Sequence, residues 1–180
     1  MKPPATMETA RLRLRAPTMD DAEAIFTTYA RDPEATRYVS FRTHRSPAEA
    51  REYVAACVKG WAGSGPFTWA IVLRDGGRLA GMIDIRPQSH RVELGYILGR
   101  EYWGRGYMTE VVRAVNDWAL AQPEVHRVWA VCDVDNLASA RVMEKAGMAR
   151  EGKLRRWAVH PNLSTEPRDF WCYARVKETS

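Results

Sequence analysis

Residues 92–110 constrain the fold more than any other part of this chain. They open as Val92-Glu93-Leu94-Gly95-Tyr96-Ile97-Leu98, cross Gly99, Gly104 and Gly106, and resume with Met108, Val111, Val115, Trp118 and Ala119 along one side. A strand-like run that gives way to helical spacing across glycines reads as a strand feeding a helix through a tight turn. A helix that begins on glycine leaves its first amides free and lets a ligand come close to the backbone. That suits an anion such as a pyrophosphate. The same glycines also serve a plain strand-to-helix turn, which needs them for its dihedrals. The segment therefore sets architecture before it sets chemistry.

The flanking sequence extends the pattern. Leu12 and Leu14 alternate with Arg11, Arg13 and Arg15, which predicts a half-buried strand over 10–16, ended by Pro17. Thr18 is read as the cap of a helix with Asp20, Asp21 and Glu23 in its first turn and Ala22, Ile25, Phe26 and Tyr29 on its apolar side. Ser46-Pro47-Ala48-Glu49 is a second helix start, and that helix breaks at Gly63-Ser64-Gly65-Pro66. Strands are predicted over 67–74, 78–86 and 92–98, with turns at Asp75-Gly76-Gly77 and at 87–90. A helix over about 108–121 stops at Pro123. It is followed by a strand over 127–134, a helix over 136–146 capped by Gly147, and late strands over 157–159 and 170–176. The product is a mixed α/β sheet.

Composition then removes whole classes. The 180 residues suit one domain, and such a chain buries roughly 70% of its unfolded surface. With 46% hydrophobic and 27% charged residues it is no disordered tail, rod or disulfide-stapled miniprotein. No run approaches the roughly 20 apolar residues of a membrane helix. The start, Met1-Lys2-Pro3-Pro4-Ala5-Thr6, lacks the apolar stretch of a signal peptide. Cys57, Cys132 and Cys172 are odd in number and far apart, which points to a reducing cytoplasm. The net charge of +5 is spread along the chain. Its one basic cluster, Arg150, Lys153, Arg155 and Arg156, reads as solvated surface. Without aromatics interleaved in a basic stripe, direct nucleic-acid binding is not expected. His44, His90, His126 and His160 have no metal-ligand spacing, so no metal is expected. A third glycine of a dinucleotide fingerprint, a Walker lysine and a nucleophile elbow are all missing.

Tyr102-Trp103-Gly104-Arg105-Gly106-Tyr107-Met108-Thr109-Glu110 resembles the acetyl-coenzyme A loop of the GNAT N-acetyltransferases. More narrowly, it resembles the RimJ/RimL-like branch, which acetylates the N-termini of ribosomal proteins. Glu8 to Arg15 followed by Asp20-Asp21-Ala22 is similar to that branch's opening strand and first helix. Asn136 to Met148 is similar to its second coenzyme A motif, and Arg168 to Ala174 to its closing strand. The likeness covers nearly the whole chain in order. It implies one domain over residues 8–178 with the acyl-CoA N-acyltransferase fold, in the α/β (α+β) class. That fold is a mixed, mostly antiparallel twisted sheet of about seven strands flanked by about four helices.

The resemblance also implies a reaction: transfer of the acetyl group of acetyl-coenzyme A to a primary amine, foremost a peptide or protein N-terminus, by direct attack in a ternary complex. Gly104, Arg105, Gly106, Tyr107, Met108 and Thr109 are implied to hold the pyrophosphate through backbone amides. Ile97 and Leu98 are implied to meet the pantetheine arm with their backbone, as a short extra strand would, and Asn136 to bond the cosubstrate. Asn136 is equally a plain helix cap. Tyr102 and Trp103 read as core aromatics beside the loop. Two departures stand out. Trp103 occupies the place where the family commonly has Gln or Arg. Met143 replaces the tyrosine that often protonates the leaving thiolate, and Ser139, one turn after Asn136, resembles a RimL-type substitute. Glu93 stands where the family often has a water-linked base. Its rivals are Asp84 in that role and a plain salt bridge as its own explanation.

An α-amine with a pKa of about 7.7–8.0 needs far less help to lose its proton than a lysine at about 10.4. The acceptor pocket is expected between residues 18–60 and 155–168, where the acids are interspersed with arginines and form no carboxylate cluster. Two readings compete with N-terminal acetylation: transfer to a small amine such as an amino acid, polyamine or antibiotic, and a non-catalytic acyl-coenzyme A sensor or RNA-associated protein. A homodimer is compatible with all three.

Overall fold

The alternating leucines near the start do form a strand, shorter than expected and with an extra partner before it. In the computed structural model, which describes residues 1–178, β1 (Thr6–Glu8) and β2 (Leu12–Arg15) make an antiparallel hairpin with Leu12 and Leu14 fully buried. β1 goes beyond the sequence expectation because Thr6-Met7-Glu8 carries no period of its own and is ordered by the edge of β2. In α1 (Asp21–Ile25), Thr18 gives no side-chain cap. Instead its backbone N–H donates to Asp21 Oδ2 at 2.8 Å, and Arg15 grips the same carboxylate at 2.6 and 2.8 Å. The chain continues as a π-helical turn over Phe26–Ala30. α2 (Pro47–Ala62) starts with proline in its first turn, as predicted, but the Ser46 side chain makes no cap bond. Glu49 Oε2 reaches back to accept from the Arg45 N–H at 3.0 Å.

β3 (Phe67–Leu73) is buried along its whole length. Period two sends Phe67, Trp69, Ile71 and Leu73 into one core and Ala70 and Val72 into another, so the sheet is covered on both faces. β4 (Leu79–Gln88) pairs antiparallel with β5 (Arg91–Leu98). It runs past the predicted turn at Pro87. The Gly99 N–H donates to Ala80 O at 2.9 Å, which sets the phase of the antiparallel ladder. Pro87 then lies opposite Val92 at a non-hydrogen-bonded pair, beyond the last pairing of β4 with β3. Its missing N–H costs no bond there.

α3 (Tyr107–Leu120), β6 (Arg127–Asp133) and α4 (Leu137–Lys145) follow nearly as predicted, with Gly147 at φ 82° after the last helix. β7 (Ala149–Ala158) and β8 (Arg168–Val176) are both longer than expected. β7 was legible only at its end. It is an edge strand exposed along nearly all its length, so no burial alternates in its sequence. The basic residues at 150, 153, 155 and 156 lie on it in solvent, as read. The sheet order is β1-β2-β3-β4-β5-β6-β8-β7, and every neighbouring pair is antiparallel except β5 with β6. Among the described residues, eight strands thus replace the expected seven or so, with four α-helices. α1 and α2 cover one face. α3 and α4 cover the other, through Met108, Val111, Val112, Val115, Ala140 and Met143.

Candidate active site

The one parallel pairing is also the shortest for its strands' length. β5 meets β6 only at Arg91–Glu93 against Arg127–Trp129, after which the two strands diverge. β6 stays fully paired to β8 on its far side, and β5 to β4. A cleft therefore opens between Leu94–Leu98 and Ala130–Asp133, with α3 and α4 starting just beyond its open end. The ladder phase decides which backbone groups face it. Glu93, Gly95 and Ile97 turn theirs toward β4, whereas Leu94, Tyr96 and Leu98 turn theirs into the cleft. This corrects half of one expectation: the Ile97 backbone is committed to β4, and Leu98 is the member of that pair which faces the opening. The Leu98 carbonyl already accepts from Trp103 Nε1 at 3.0 Å. Trp103 is itself 46% exposed rather than a core aromatic, while Tyr102 is buried as predicted.

Above the cleft, Gly104 has φ 72° and Gly106 φ 75°, conformations that other residues adopt only under strain. Gly106 precedes α3, and no side chain caps that helix start. The first amides, Tyr107 to Thr109, therefore have no partner within the helix or from a cap. A side chain added at Gly104 would meet nothing within 4 Å, so the loop's outer surface is open. The acid of the first turn, Glu110, does not spoil this positive end. Its Oε2 accepts from Arg11 Nε at 2.7 Å, its Oε1 accepts from the Arg11 N–H and the Thr9 hydroxyl, and these bonds outweigh burial and hold its pKa below the usual range.

At the second helix start, Asn136 Oδ1 accepts from the Ser139 N–H at 3.1 Å, which makes Asn136 a helix cap. Ser139 Oγ lies 2.8 Å from the Tyr96 hydroxyl. The bond links β5 to the first turn of α4 across the cleft. Burial drives the Tyr96 phenol well above its ordinary pKa, and the Ser139 bond only partly offsets this. Cys132 lies beneath, its thiol pushed up to about 12 by burial and by the Asp133 charge. Met143 is fully buried in the core and offers no proton. Tyr96 was missed from sequence because its spacing with Val92, Leu94 and Leu98 reads as core. The available signal was its hydroxyl, since a buried phenol needs a partner.

On the opposite face of β4 and β5, Arg86 bridges two carboxylates, 2.9 Å from Asp84 Oδ1 and 2.7 Å from Glu93 Oε1. Only the Glu93 contact is a directed hydrogen bond. Gly95, opposite Asp84, makes the room: a Cβ there would lie 2.6 Å from both the Arg86 guanidinium and Asp84 Oδ2. Burial raises the Asp84 carboxyl to about 6 against the pull of Arg86, and the Glu93 charge adds to the rise. Glu93 and Asp84, rivals in the sequence, are thus held by one guanidinium.

The walls beyond the cleft come from residues 31–46 and 159–168. Asn162 staples them together: its Nδ2 donates to the carbonyls of Thr36 and Phe41 at 2.7 and 2.8 Å, and its Oδ1 accepts from the Thr43 N–H at 3.0 Å. A recess of about 350 Å³ lies there, lined by Pro33, Arg42, Thr43, His44, Arg45 and Asn162. A comparable one of about 400 Å³, lined by Arg113, Asp117, Lys145 and Arg175 among others, is formed by the later parts of α3 and α4, away from their N-termini. Asp133, fully buried at the end of β6, accepts from Arg168 at 2.5 and 3.0 Å. Burial alone would raise its pKa, but the Arg168 bonds and the Asp135 N–H hold it low. A depressed carboxylate stabilises the fold above its unfolded pKa of about 3.9 and loses that contribution as pH falls through the folded value. Asp133→Asn removes the buried carboxylate but leaves Arg168 partly exposed and still bonded to Asp135 at 2.6 Å, so no charge is stranded. We therefore expect Asp133→Asn to lose about 2 kcal/mol, the scale of its lost charged hydrogen bonds, in urea unfolding at pH 7. The gap to the parent should close below about pH 4; a gap independent of pH would count against the ion pair as its source.

Residues 11–149 match the family profile of the acetyltransferase (GNAT) domain. The chain belongs to the GNAT acetyltransferases. Among curated GNAT relatives, the N-acetyltransferase YoaA of Bacillus subtilis (strain 168) is 34% identical over 174 residues, 95% of this chain and 96% of YoaA. A crystal structure of a GNAT-family acetyltransferase from Bacillus anthracis superposes with a TM-score of 0.84 at 27% identity, covering 97% of this chain and 99% of that one. RimL, a ribosomal L7/L12 α-N-protein acetyltransferase solved in complex with coenzyme A, shares the GNAT fold. Its TM-score is 0.80 at 18% identity, over 95% of this chain and 97% of RimL. Against that background the loop can be tested for fit to a coenzyme A. Two left-handed glycines, an uncapped helix start, an open outer surface and a neutralised Glu110 are all compatible with a pyrophosphate. Among the described residues no group of three or more His, Cys, Asp or Glu side chains could hold a metal ion. No helix among the described residues is long and apolar enough to cross a membrane.

Proposed function

We propose that this acetyltransferase, a single domain over residues 8–178 acting in the cytoplasm, acetylates the α-amine of a peptide or protein N-terminus. The observation that carries the reading is the cleft where β5 leaves β6, with free helix amides at its mouth and the Asp84–Arg86–Glu93 group on the neighbouring face. Acetyl-coenzyme A supplies the activated acetyl carbonyl and a thiolate leaving group. The amides from Gly104 to Thr109 hold its pyrophosphate, the backbone edge of Leu94, Tyr96 and Leu98 that faces the cleft takes its pantetheine arm, and Asn136 borders that arm. Glu93 accepts the amine's proton through a water, with Arg86 fixing its carboxylate. Ser139, oriented by Tyr96, donates a hydrogen bond toward the leaving sulfur.

The N-terminal acceptor is supported by charge. The recess between the acceptor walls presents Arg42 and Arg45 and no acid, which disfavours a polycation. An N-terminus carries at most one positive charge and sheds it before reaction. The name of RimL, whose fold is shared, points the same way for that protein. A free amino acid is the second reading, since its carboxylate could meet Arg42 or Arg45. A screen that detects released thiol separates them. Peptides with small first residues should give higher kcat/KM than amino acids, spermidine or aminoglycosides. The highest kcat/KM on polyamines or aminoglycosides would refute the electrostatic argument.

For the donor side, Ser139→Ala is expected to lower kcat about 10²-fold with little change in the KM for acetyl-coenzyme A. Because Tyr96 acts through Ser139, Tyr96→Phe in the Ser139→Ala background should cost nothing more. Full turnover by Ser139→Ala would remove both from the mechanism.

A further inference from the structure

The turn between β1 and β2 lies against the loop that precedes α3, although the two are far apart in the chain. Arg11 makes most of this contact. Its Nη1 donates to the Arg105 carbonyl at 2.9 Å, its guanidinium lies 4.6 Å over the Tyr107 ring, and its Nη2 is 3.6 Å from where a side chain on Gly106 would begin. Arg11 thus lies against three consecutive residues, two of the loop and the first of α3. Glu110 fixes it in turn, accepting from Arg11 Nε at 2.7 Å, from the Arg11 N–H at 2.9 Å and from the Thr9 hydroxyl at 2.6 Å.

One of these bonds decides an orientation. The Arg105 carbonyl and the Gly106 N–H belong to a single planar trans peptide, so they point in opposite directions. With the carbonyl held by Arg11 on the side of the β1–β2 turn, the Gly106 N–H is aimed away from that turn. Gly106 has no Cβ to resist rotation of that peptide, and a left-handed glycine is the residue most free to flip. Left alone, the loop would sample both orientations.

The geometry points to Arg11 as a positioning residue of the coenzyme A site: clamped by Glu110, it locks the Arg105–Gly106 peptide so that the Gly106 amide faces the pyrophosphate. The inference rests on the coenzyme A reading of this loop and adds to it a residue from the opposite end of the fold. It requires the fork of a guanidinium, which can bond Glu110 and the Arg105 carbonyl at once. A lysine supplies a charge but no such pair of directed donors.

The test compares ligands with and without a pyrophosphate. Calorimetry with coenzyme A and with dephospho-coenzyme A should show about tenfold weaker binding to Arg11→Gln than to the parent, by the same factor for both ligands. An NMR titration with pantetheine, which lacks the pyrophosphate, should give the parent's affinity. Arg11→Lys should remain weakened, and the difference should persist at 0.5 M salt, where long-range attraction is screened. Unchanged coenzyme A affinity in Arg11→Gln overturns the clamp. So does an equal loss for pantetheine, which marks general loosening, and so does full recovery in Arg11→Lys, which marks simple charge. A parent protein that binds none of the three ligands overturns the coenzyme A reading and the clamp with it.

Discussion

Replacing Gly106 by proline is expected to weaken coenzyme A binding about 10³-fold, roughly 4 kcal/mol, while the domain stays folded. Proline locks φ near −65°, whereas Gly106 sits at 75°. The loop must therefore rebuild its turn into α3. The substitution also deletes the amide that Arg11 orients through the Arg105 carbonyl. Most of the apolar face of α3, with Val111, Val112, Val115 and Ala119 fully buried, lies a turn or more beyond that peptide and does not depend on it. Calorimetry checks the affinity and far-UV circular dichroism the fold. A folded Gly106→Pro protein that binds coenzyme A like the parent would dismiss the loop as the pyrophosphate site.

Glu93→Gln is expected to lower kcat/KM about 10³-fold near pH 6, and much less near pH 9. The pH dependence follows from the acceptor. An α-amine with a pKa of about 7.7–8.0 is almost fully protonated at pH 6 and needs a base. At pH 9 it is already neutral. Glutamine keeps the shape and can still accept from Arg86, so a purely structural Glu93 predicts a pH–rate profile unchanged in form. Asp84 gives the contrasting signature. Its carboxyl titrates at about 6, so Asp84→Asn should remove an inflection there if that residue takes the proton. Loss of the inflection in Asp84→Asn, with Glu93→Gln keeping the inflection and only moving it to lower pH because the Glu93 charge no longer raises Asp84, would transfer the role of base.

Local period carried most of the fold. The run from Phe67 to Leu73 feeds two cores because side chains two apart share a face, and the sequence displays that directly. The start of α3 was legible for a similar reason: Gly104 and Gly106 signal backbone that other residues cannot follow, and both are left-handed in the structure. Where burial does not alternate, the signal fades. β7 is exposed on both sides and exists because β8 offers it a ladder. β1 depends on β2 in the same way.

The site divides along the same line. Sequence by itself determined that a glycine loop leads into a helix, that Met143 cannot donate a proton, and that Ser139, Glu93 and Asp84 are available. Each of these is a property of one residue type or of neighbours within a turn. Only the tertiary structure decided that Tyr96 meets Ser139, that one Arg86 holds both Asp84 and Glu93, that the Leu98 rather than the Ile97 backbone faces the cleft, and that Arg11 grips a loop 94 residues away. Those pairings follow from strand order and register, where a shift of one residue turns every side chain to the other face and every backbone group to the other edge. Register is set by the whole sheet at once, so no local window of the sequence contains it.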